Sequence, residues 1–282
     1  MTYRKAYEKG KGALTAAGIV EAELDARLLL EFACGTDRNT LLVHGDREVA
    51  AQEEDIYEEL IKKRSRRIPL QHLTRVQEFM GLEFSVNEHV LIPRQDTEIL
   101  VEEVLRSLHD GMRVLDMCTG SGCILISLLH YTNDCEGVGA DISEEALKVA
   151  AQNAKKLLGV GTCATFVQSN LFENVGGKFD VIVSNPPYIR SSVMETLMPE
   201  VRDYEPALAL DGAEDGLYFY REIVGESRTY LSKGGMLFFE IGYDQGEAVS
   251  GLMKQSGFLE VQVIKDYGGL DRVVCGTLGF GE

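Results

Sequence analysis

The chain has 282 residues, 45% of them hydrophobic and 26% charged, and it carries a formal net charge of −17. This length allows one or two domains with cores of their own. The six cysteines form no Cys-x-x-Cys pair, which argues against a zinc site or a disulfide framework and predicts a cytoplasmic protein with reduced thiols. No metal site is predicted. No apolar run approaches the ~20 residues of a membrane helix, and the first residues lack a signal-peptide core, so no membrane partner is expected.

Residues 1–74 are predicted to form a helical domain. One helix is expected over residues 22–34, with Asp25 and Arg27 on its outward face. Its apolar face is expected to contain Leu24, Leu28, Leu29 and Phe32. Another helical stretch is expected over residues 46–67, and five cations lie between positions 62 and 67 at its end. Cations are favoured at a helix C-terminus by the helix dipole. A contact with ribosomal RNA or an acidic partner is the alternative interpretation of these cations.

Residues 75–93 are predicted to be a β-hairpin that links two domains. Apolar and polar side chains alternate loosely over residues 78–91, and Gly81 stands where the turn is expected. Residues 94–282 are predicted to form the second domain, which opens with an amphipathic helix over residues 97–108.

From Met112 onward the pattern alternates between strand and helix, which predicts a doubly wound α/β sheet. Seven strands are expected, at residues 112–117, 136–140, 163–168, 179–184, 234–241, 259–264 and 271–277. Helices are expected at residues 121–131, 143–158, 217–232 and 244–256. The loop before the last strand is too short for a crossover helix, so the last two strands must form an antiparallel hairpin. One reversed strand is therefore expected at the end of the parallel sheet.

A loop of small residues follows the first strand of this sheet, between Asp116 and Gly122. Glycines let the backbone approach a ligand closely, and the helix that follows presents free N–H groups at its N-terminus. Asp141 ends the second strand, where a carboxylate can accept hydrogen bonds from the ribose of a dinucleotide or of S-adenosylmethionine. The alternative role for Asp141 is a helix N-cap, for which Ser143 competes, and both roles are compatible.

The most informative stretch is Asn185-Pro186-Pro187-Tyr188, which directly follows the predicted buried strand at residues 179–184. Open α/β sheets place their ligands at the carboxyl ends of such strands. The Asn amide offers a donor and an acceptor in one plane, the prolines stiffen the loop, and Tyr188 adds a flat ring. Together they suit a planar nitrogen group, such as an amide or the exocyclic amine of a base. A proline-rich turn without function is the alternative, but the flanking Asn and Tyr favour a site.

These motifs resemble those of class I S-adenosylmethionine methyltransferases that act on planar nitrogens. Further segments resemble the HemK/PrmC family, and they lie at residues 92–98, 205–208, 215–217 and 239–242. Enzymes of that family methylate the glutamine of the Gly-Gly-Gln motif in class I peptide chain release factors. The resemblance covers nearly the whole chain. It implies a seven-stranded Rossmann-like methyltransferase fold with a small N-terminal helical domain, and a role in translation termination. Because a single glutamine side chain is too small to define a substrate, the N-terminal domain is expected to recognise the release factor.

The resemblance also implies a site. S-adenosylmethionine, with S-adenosylhomocysteine as its product, would be held by Asp116, Cys118, Thr119, Gly120, Ser121, Gly122, Asp141, Asn170, Leu171 and Asn185. The substrate amide would be held by Asn185, Pro186, Pro187 and Tyr188, and the catalytic residues would be Asn185, Pro186 and Tyr188. The Asn185 side-chain oxygen and the Pro186 carbonyl would accept the two amide hydrogens, which would point the nitrogen lone pair at the methyl group.

Two positions depart from the family pattern. Asn170 stands where Asp is usual near the adenine amine, and Cys118 stands where Gly is common. If φ is positive at Cys118, the side chain costs about 1 kcal/mol relative to Gly. The sequence leaves open the roles of four further polar residues, which are Arg94, Asp96, Glu98 and Glu240.

Two other functions stay open at this point. One is an adenine-amine methyltransferase that acts on nucleic acid, and the other is a non-catalytic S-adenosylmethionine-binding module associated with the ribosome. Residues 1–75 hold 13 basic and 13 acidic side chains, whereas residues 76–282 hold 15 basic and 32 acidic ones. That acidic region would repel duplex nucleic acid, so direct DNA binding is not expected. The complete Asn-Pro-Pro-Tyr motif argues against a module that only binds.

Overall fold

The computed structural model describes residues 1–279, which divide into two compact units. The first unit holds Met1–Val76 together with Met198–Tyr204, and the second holds Gln77–Leu197 and the residues from Glu205 onward. No local signal in the sequence assigns Met198–Tyr204 to the N-terminal unit. Within residues 1–279, no helix combines the length and the apolar character that crossing a membrane requires.

The helices in chain order are α1 Tyr3–Ala16, α2 Ala22–Cys34, α3 Arg38–Val43, α4 Ala51–Ser65, α5 Leu70–Thr74, α6 Asp96–Ser107, α7 Cys123–His130, α8 Glu144–Leu157, α9 Pro199–Arg202, α10 Tyr218–Tyr230 and α11 Gly246–Gln255. The strands are β1 Val76–Phe79, β2 Leu82–Ser85, β3 Arg113–Met117, β4 Glu136–Asp141, β5 Ala164–Gln168, β6 Phe179–Ser184, β7 Leu231–Glu240, β8 Phe258–Lys265 and β9 Asp271–Leu278. Two short 3₁₀ turns, Ser191–Thr196 and Ala207–Ala209, flank α9.

Helix α2 in the first unit agrees only in part with the predicted apolar face. Leu29 is fully buried as predicted, whereas Leu24 is 40% and Phe32 48% exposed. The prediction that Asp25 points outward is wrong, because Asp25 is 5% exposed and accepts a 2.7 Å hydrogen bond from Arg64 Nε on α4. A buried carboxylate is stable only with such a partner, and spacing along a single helix cannot reveal it.

The cations at the end of α4 have two different roles. Arg64 is 7% exposed and also contacts Glu200 at 3.2 Å, and Arg67 contacts the same carboxylate at 3.1 Å. These two arginines therefore hold Met198–Tyr204 within the first unit. The other three cations of the cluster are exposed, and they are Lys62, Lys63 and Arg66.

The second unit is built around a seven-stranded sheet with the order β5-β4-β3-β6-β7-β9-β8. Its strands from β5 to β7 are parallel, and β9 is antiparallel to both of its neighbours. The predicted doubly wound sheet and the final hairpin are confirmed. The reversed strand does not lie at the end of the sheet, however, because β9 inserts between β7 and β8.

Helices cover both faces of this sheet. Consecutive residues Val114 and Leu115 in β3 are both fully buried, and they belong to two different core clusters. Because side chains alternate across a strand, these clusters lie on opposite faces. The chain leaves β3 towards β4 on one side and reaches β6 on the other, which opens a crevice at the carboxyl ends of these strands.

Candidate active site

A cavity of about 240 Å³ lies at this crevice. Its wall is formed by the carboxyl ends of strands β3, β4, β5 and β6 and by the segments that follow them. Of the residues predicted from the sequence, the lining contains Cys118, Gly120, Asp141, Asn170, Leu171, Asn185 and Pro187. The other predicted residues do not line it, and they are Asp116, Thr119, Ser121, Gly122, Pro186 and Tyr188.

Asp116 supports the small-residue loop from within the protein. It has no exposed surface, and its Oδ2 accepts hydrogen bonds from Thr119 Oγ1 at 2.6 Å and from the Leu125 backbone N–H at 3.3 Å. Burial raises the pKa of Asp116 to about 7, against these two hydrogen bonds. Asp116 therefore stabilises the conformation of the loop beside the cavity.

The loop itself contains a strained residue. Cys118 has a φ of 63°, in the left-handed region, so its side chain costs about 1 kcal/mol relative to glycine, as the sequence suggested. Gly122 has a φ of 78°, and a Cβ there would lie 2.8 Å from Ile126 Cδ1. Glycine at position 122 is therefore needed for the tight entry into α7.

Asp141 faces the cavity at the end of β4. Its Oδ2 accepts a hydrogen bond from Gly120 N and its Oδ1 accepts one from Ser143 N, each at 2.9 Å. Burial raises the pKa of Asp141, although the backbone hydrogen bonds from Ser143 and Gly120 oppose this. The N-cap of α8 is Ser143, whose hydroxyl accepts from Ala146 N. A carboxylate has about four lone-pair sites, so Asp141 keeps acceptor capacity for a ligand.

Asn185 lies at the edge of the cavity, at the end of β6. Its Nδ2 donates to Thr97 Oγ1 at 3.4 Å. Behind it, the Tyr188 hydroxyl donates to Glu240 Oε1 at 3.3 Å, and the Tyr188 carbonyl accepts from Gln245 Nε2 at 3.1 Å. The Asn-Pro-Pro-Tyr loop is thus fixed by side chains from three other elements.

Known proteins resemble this chain in both of its parts. The family model for the PrmC N-terminal domain matches residues 5–74, and the model for the methyltransferase small domain matches residues 94–200. The chain is 42% identical to the release factor glutamine methyltransferase of Geobacter sulfurreducens, over 99% of this chain and 97% of that protein. It is 41% identical to the Caulobacter vibrioides protein of the same name, over 98% and 96% of the two chains.

The chain belongs to the release factor glutamine methyltransferase family. The family resemblance drawn from the motifs is therefore confirmed. A crystal structure of a methyltransferase from Pyrococcus furiosus aligns with a TM-score of 0.54 at 18% identity, over 77% of this chain and 99% of that chain. That likeness shows the methyltransferase fold.

In this family member, the polar residues whose roles the sequence left open mainly hold the site together. Arg94 contacts Glu205 at 2.5 Å, next to Pro206, which lines the cavity. Asp96 contacts Arg272 at 3.0 Å, and Glu98 Oε1 accepts from the Met80 backbone N–H at 2.6 Å. Burial raises the pKa of Glu205, and the Arg94 charge opposes this rise.

Glu240 is the fourth of these residues, and it contacts the Asn-Pro-Pro-Tyr loop. It ends β7 with 1% exposure, and its Oε1 accepts a hydrogen bond from the Tyr188 hydroxyl at 3.3 Å. Burial raises its pKa to about 7, while neighbouring hydroxyls and the Arg272 charge oppose this rise. In the sequence analysis, Thr97 and Glu240 belong to two distant segments that resemble the family, at residues 92–98 and 239–242.

Further cavity residues carried no signal of their own in the sequence. His89, Val90 and Leu91 follow the hairpin, and Tyr218 and Phe219 begin α10. The segment at residues 205–208 is one of those that resemble the family, and its Pro206 and Leu208 line the cavity. Residues 1–279 contain no group of three or more His, Cys, Asp or Glu side chains placed to hold a metal ion.

Proposed function

We propose that this protein transfers a methyl group from S-adenosylmethionine to the side-chain amide nitrogen of the Gly-Gly-Gln glutamine in class I peptide chain release factors. Family membership over nearly the whole chain supports this substrate. The observation that carries the chemistry is Asn185 at the cavity edge. Because its Nδ2 is committed to Thr97, its Oδ1 is the atom left to accept a hydrogen from the substrate. The proposed reaction on release factors would take place in the cytoplasm.

The residues around the cavity fit S-adenosylmethionine. Asp141 retains acceptor capacity for the two ribose hydroxyls, and Val90, Leu91 and Leu171 offer apolar surface for a flat base. Asn170 provides one amide for the adenine edge. S-adenosylmethionine supplies a methyl group on a sulfonium centre, and this methyl group is electrophilic enough to react with a weak nucleophile.

The protein contributes orientation to this reaction. An amide nitrogen is a poor nucleophile because its lone pair is delocalised into the carbonyl. Asn185 Oδ1 and the Pro186 carbonyl would each accept one hydrogen of the substrate amide, which places the nitrogen for transfer and stabilises the positive charge that develops on it. A strong base is unnecessary, because the extra proton can leave to water after transfer.

We also propose that the N-terminal unit recognises the release factor. A glutamine side chain is too small to define one substrate among cellular proteins, so a second contact surface is needed. A groove on this unit exposes Leu24 and Leu42 between charged side chains that include Arg27 and Arg38. This surface differs in composition from the acidic methyltransferase domain.

The test of the function is a labelled-methyl transfer assay with release factor and with DNA as acceptors. Wild-type protein should label the glutamine of the release factor, and Asn185→Ala should abolish transfer while S-adenosylmethionine still binds. Asn133→Ala is the matched control, because Asn133 is exposed and outside the cavity. Label in DNA but not in release factor would instead support the adenine methyltransferase. Near-normal turnover by Asn185→Ala would remove Asn185 from the mechanism.

A further inference from the structure

We propose that Gln245 is a positioning residue that fixes the backbone of the Asn-Pro-Pro-Tyr loop by holding the Tyr188 carbonyl. Gln245 directly precedes α11, is 5% exposed and does not line the cavity. The inference rests on the proposed methyl transfer and extends it to a residue outside the motif. It also gives a role to the segment at residues 215–217, which resembles the family but does not line the cavity either.

The side-chain amide of Gln245 uses both of its ends. Its Nε2 carries two hydrogens, and it donates to the Tyr188 carbonyl and to the Gly216 carbonyl, each at 3.1 Å. Its Oε1 accepts from the Gly242 backbone N–H at 2.9 Å. A flipped amide would present its oxygen to two carbonyls and its NH₂ group to an N–H group, so all three contacts would be lost together. The partners therefore fix the orientation of this amide.

The loop at residues 210–217 pairs with the chain that leaves the Asn-Pro-Pro-Tyr motif. The Ile189 backbone N–H donates to the Leu210 carbonyl at 3.0 Å, and the Ile189 carbonyl accepts from the Gly212 N–H at 2.7 Å. Gln245 connects the same two segments one residue earlier, at the last residue of the motif. The end of the motif is thus bound to this loop by its backbone and by one buried side chain.

Gly216 allows the close approach that this arrangement needs. Its φ is 74°, and a Cβ at this position would lie 2.4 Å from the Tyr188 carbonyl oxygen and 2.8 Å from Gln245 Nε2. Any other residue would therefore push apart the two atoms that form the hydrogen bond. Glycine at position 216 lets Gln245 reach both carbonyls.

The position of Tyr188 determines where the Pro186 carbonyl lies. Pro187 separates the two residues, and its ring fixes φ, so little rotation is available between them. The Tyr188 hydroxyl also donates to Glu240 Oε1 at 3.3 Å, which holds the other end of the residue. Holding Tyr188 at both ends keeps the Pro186 carbonyl beside Asn185, where both would accept the substrate hydrogens. A displacement of about 1 Å at such groups can slow a reaction about 100-fold.

Gln245→Glu tests this contact with the smallest change of shape. The carboxylate still accepts from the Gly242 N–H, but it presents an oxygen instead of a donor to the Tyr188 carbonyl. Gln255→Glu is the matched control, because Gln255 is exposed and ends the same helix.

Gly216→Ala acts on the same hydrogen bond from the other loop. Its matched control is Gly161→Ala, because Gly161 has a φ of 83° and a Cβ there would have no described atom within 4 Å. The two alanine variants share the cost of a left-handed backbone, and only Gly216→Ala crowds Tyr188 and Gln245.

Single-turnover transfer to release factor and calorimetry with S-adenosylmethionine are measured for all four variants. Gln245→Glu and Gly216→Ala should each slow transfer by about 10- to 100-fold with little change in cofactor affinity. The loss should appear in kcat, because the displaced groups orient the substrate amide during transfer. Gln255→Glu and Gly161→Ala should transfer at the wild-type rate.

A second measurement needs no substrate. Tyr188-Ile189 is the only Tyr-Ile pair in the sequence. Protein labelled with ¹³C-carbonyl tyrosine and ¹⁵N-isoleucine therefore gives a single HNCO signal, which reports the Tyr188 carbonyl. Loss of the hydrogen bond from Gln245 should move this carbonyl signal upfield in Gln245→Glu and leave it in place in Gln255→Glu.

The outcomes separate the inference from the proposed function. Wild-type transfer together with a normal rate in either Gln245→Glu or Gly216→Ala overturns the inference, and so does an unchanged Tyr188 carbonyl signal in Gln245→Glu. A loss of rate that only matches a loss of cofactor affinity overturns the positioning role. If Gln245→Glu does not fold, Gly216→Ala decides by the same two measurements. If wild-type protein fails to methylate release factor, the proposed function is wrong, and the carbonyl signal alone still decides whether Gln245 holds Tyr188.

Discussion

Replacing Asp141 with asparagine should weaken S-adenosylmethionine binding strongly while keeping the shape of the side chain. In the wild type, each carboxylate oxygen accepts one backbone N–H at 2.9 Å, one from Gly120 and one from Ser143. An asparagine amide has a single oxygen. One of the two N–H groups would therefore face an NH₂ group, and the charge available to the ribose hydroxyls would be lost.

The magnitude follows from these contacts. Losing a hydrogen bond to a charged group costs about 1.5–3 kcal/mol. At 1.4 kcal/mol for each factor of ten, the dissociation constant should rise by about 12- to 140-fold. Asp141→Ala removes both backbone contacts as well, so its effect should be at least as large.

Isothermal titration calorimetry with S-adenosylmethionine and S-adenosylhomocysteine measures this change. The matched control is Glu145→Gln, which removes the same charge from an exposed side chain that contacts Lys148 at 2.6 Å. A dissociation constant for Asp141→Asn within about twofold of the wild type would refute the assignment. Equal weakening in Glu145→Gln would refute it too, because the effect would then be one of net charge.

Three further predictions concern stability and recognition. Burial raises the pKa values of Asp116 and Glu240 to about 7, so their contribution to stability is full below their unfolded pKa values of about 4 and is lost as the pH rises through 7. The urea unfolding free energy should therefore fall from about pH 4 to about pH 7, and Asp116→Asn should reduce that fall. Arg64→Met leaves the buried Asp25 carboxylate without its partner and removes one of the two arginines that contact Glu200, so it should lower the unfolding free energy by about 3–5 kcal/mol. The double variant Leu24→Asp, Leu42→Asp should raise KM for intact release factor much more than for a Gly-Gly-Gln peptide.

The last two of these predictions have matched controls. Lys62→Met, at an exposed cation of the same helix, should change the unfolding free energy by less than about 0.5 kcal/mol. Val160→Asp places one negative charge on a 91% exposed apolar residue of the other unit and should leave KM unchanged. A pH-independent unfolding free energy, a harmless Arg64→Met, or equal KM effects with protein and peptide would each contradict the corresponding assignment.

The candidate site was predicted more completely for residues that touch the cavity than for those that support it. Asp141 and Asn185 end buried strands, and both line the cavity, because parallel strands bring their carboxyl ends to one edge. Asp116 also ends a strand, yet it turns into the protein to hold Thr119. Alternation along a strand could not separate these outcomes, since both faces of this sheet are buried.

By itself, the sequence determined the order of strands and helices, the final hairpin and the family, because side-chain periodicity, turn length and short motifs are local properties of a chain. Only the tertiary structure decided that β9 inserts between β7 and β8, and that Met198–Tyr204 belongs to the N-terminal unit. It also decided that Asp25 is buried with Arg64, that Asn185 contacts Thr97, and that Tyr188 contacts Glu240. A buried polar group is stable only beside a partner, and here each partner comes from an element far away in the chain.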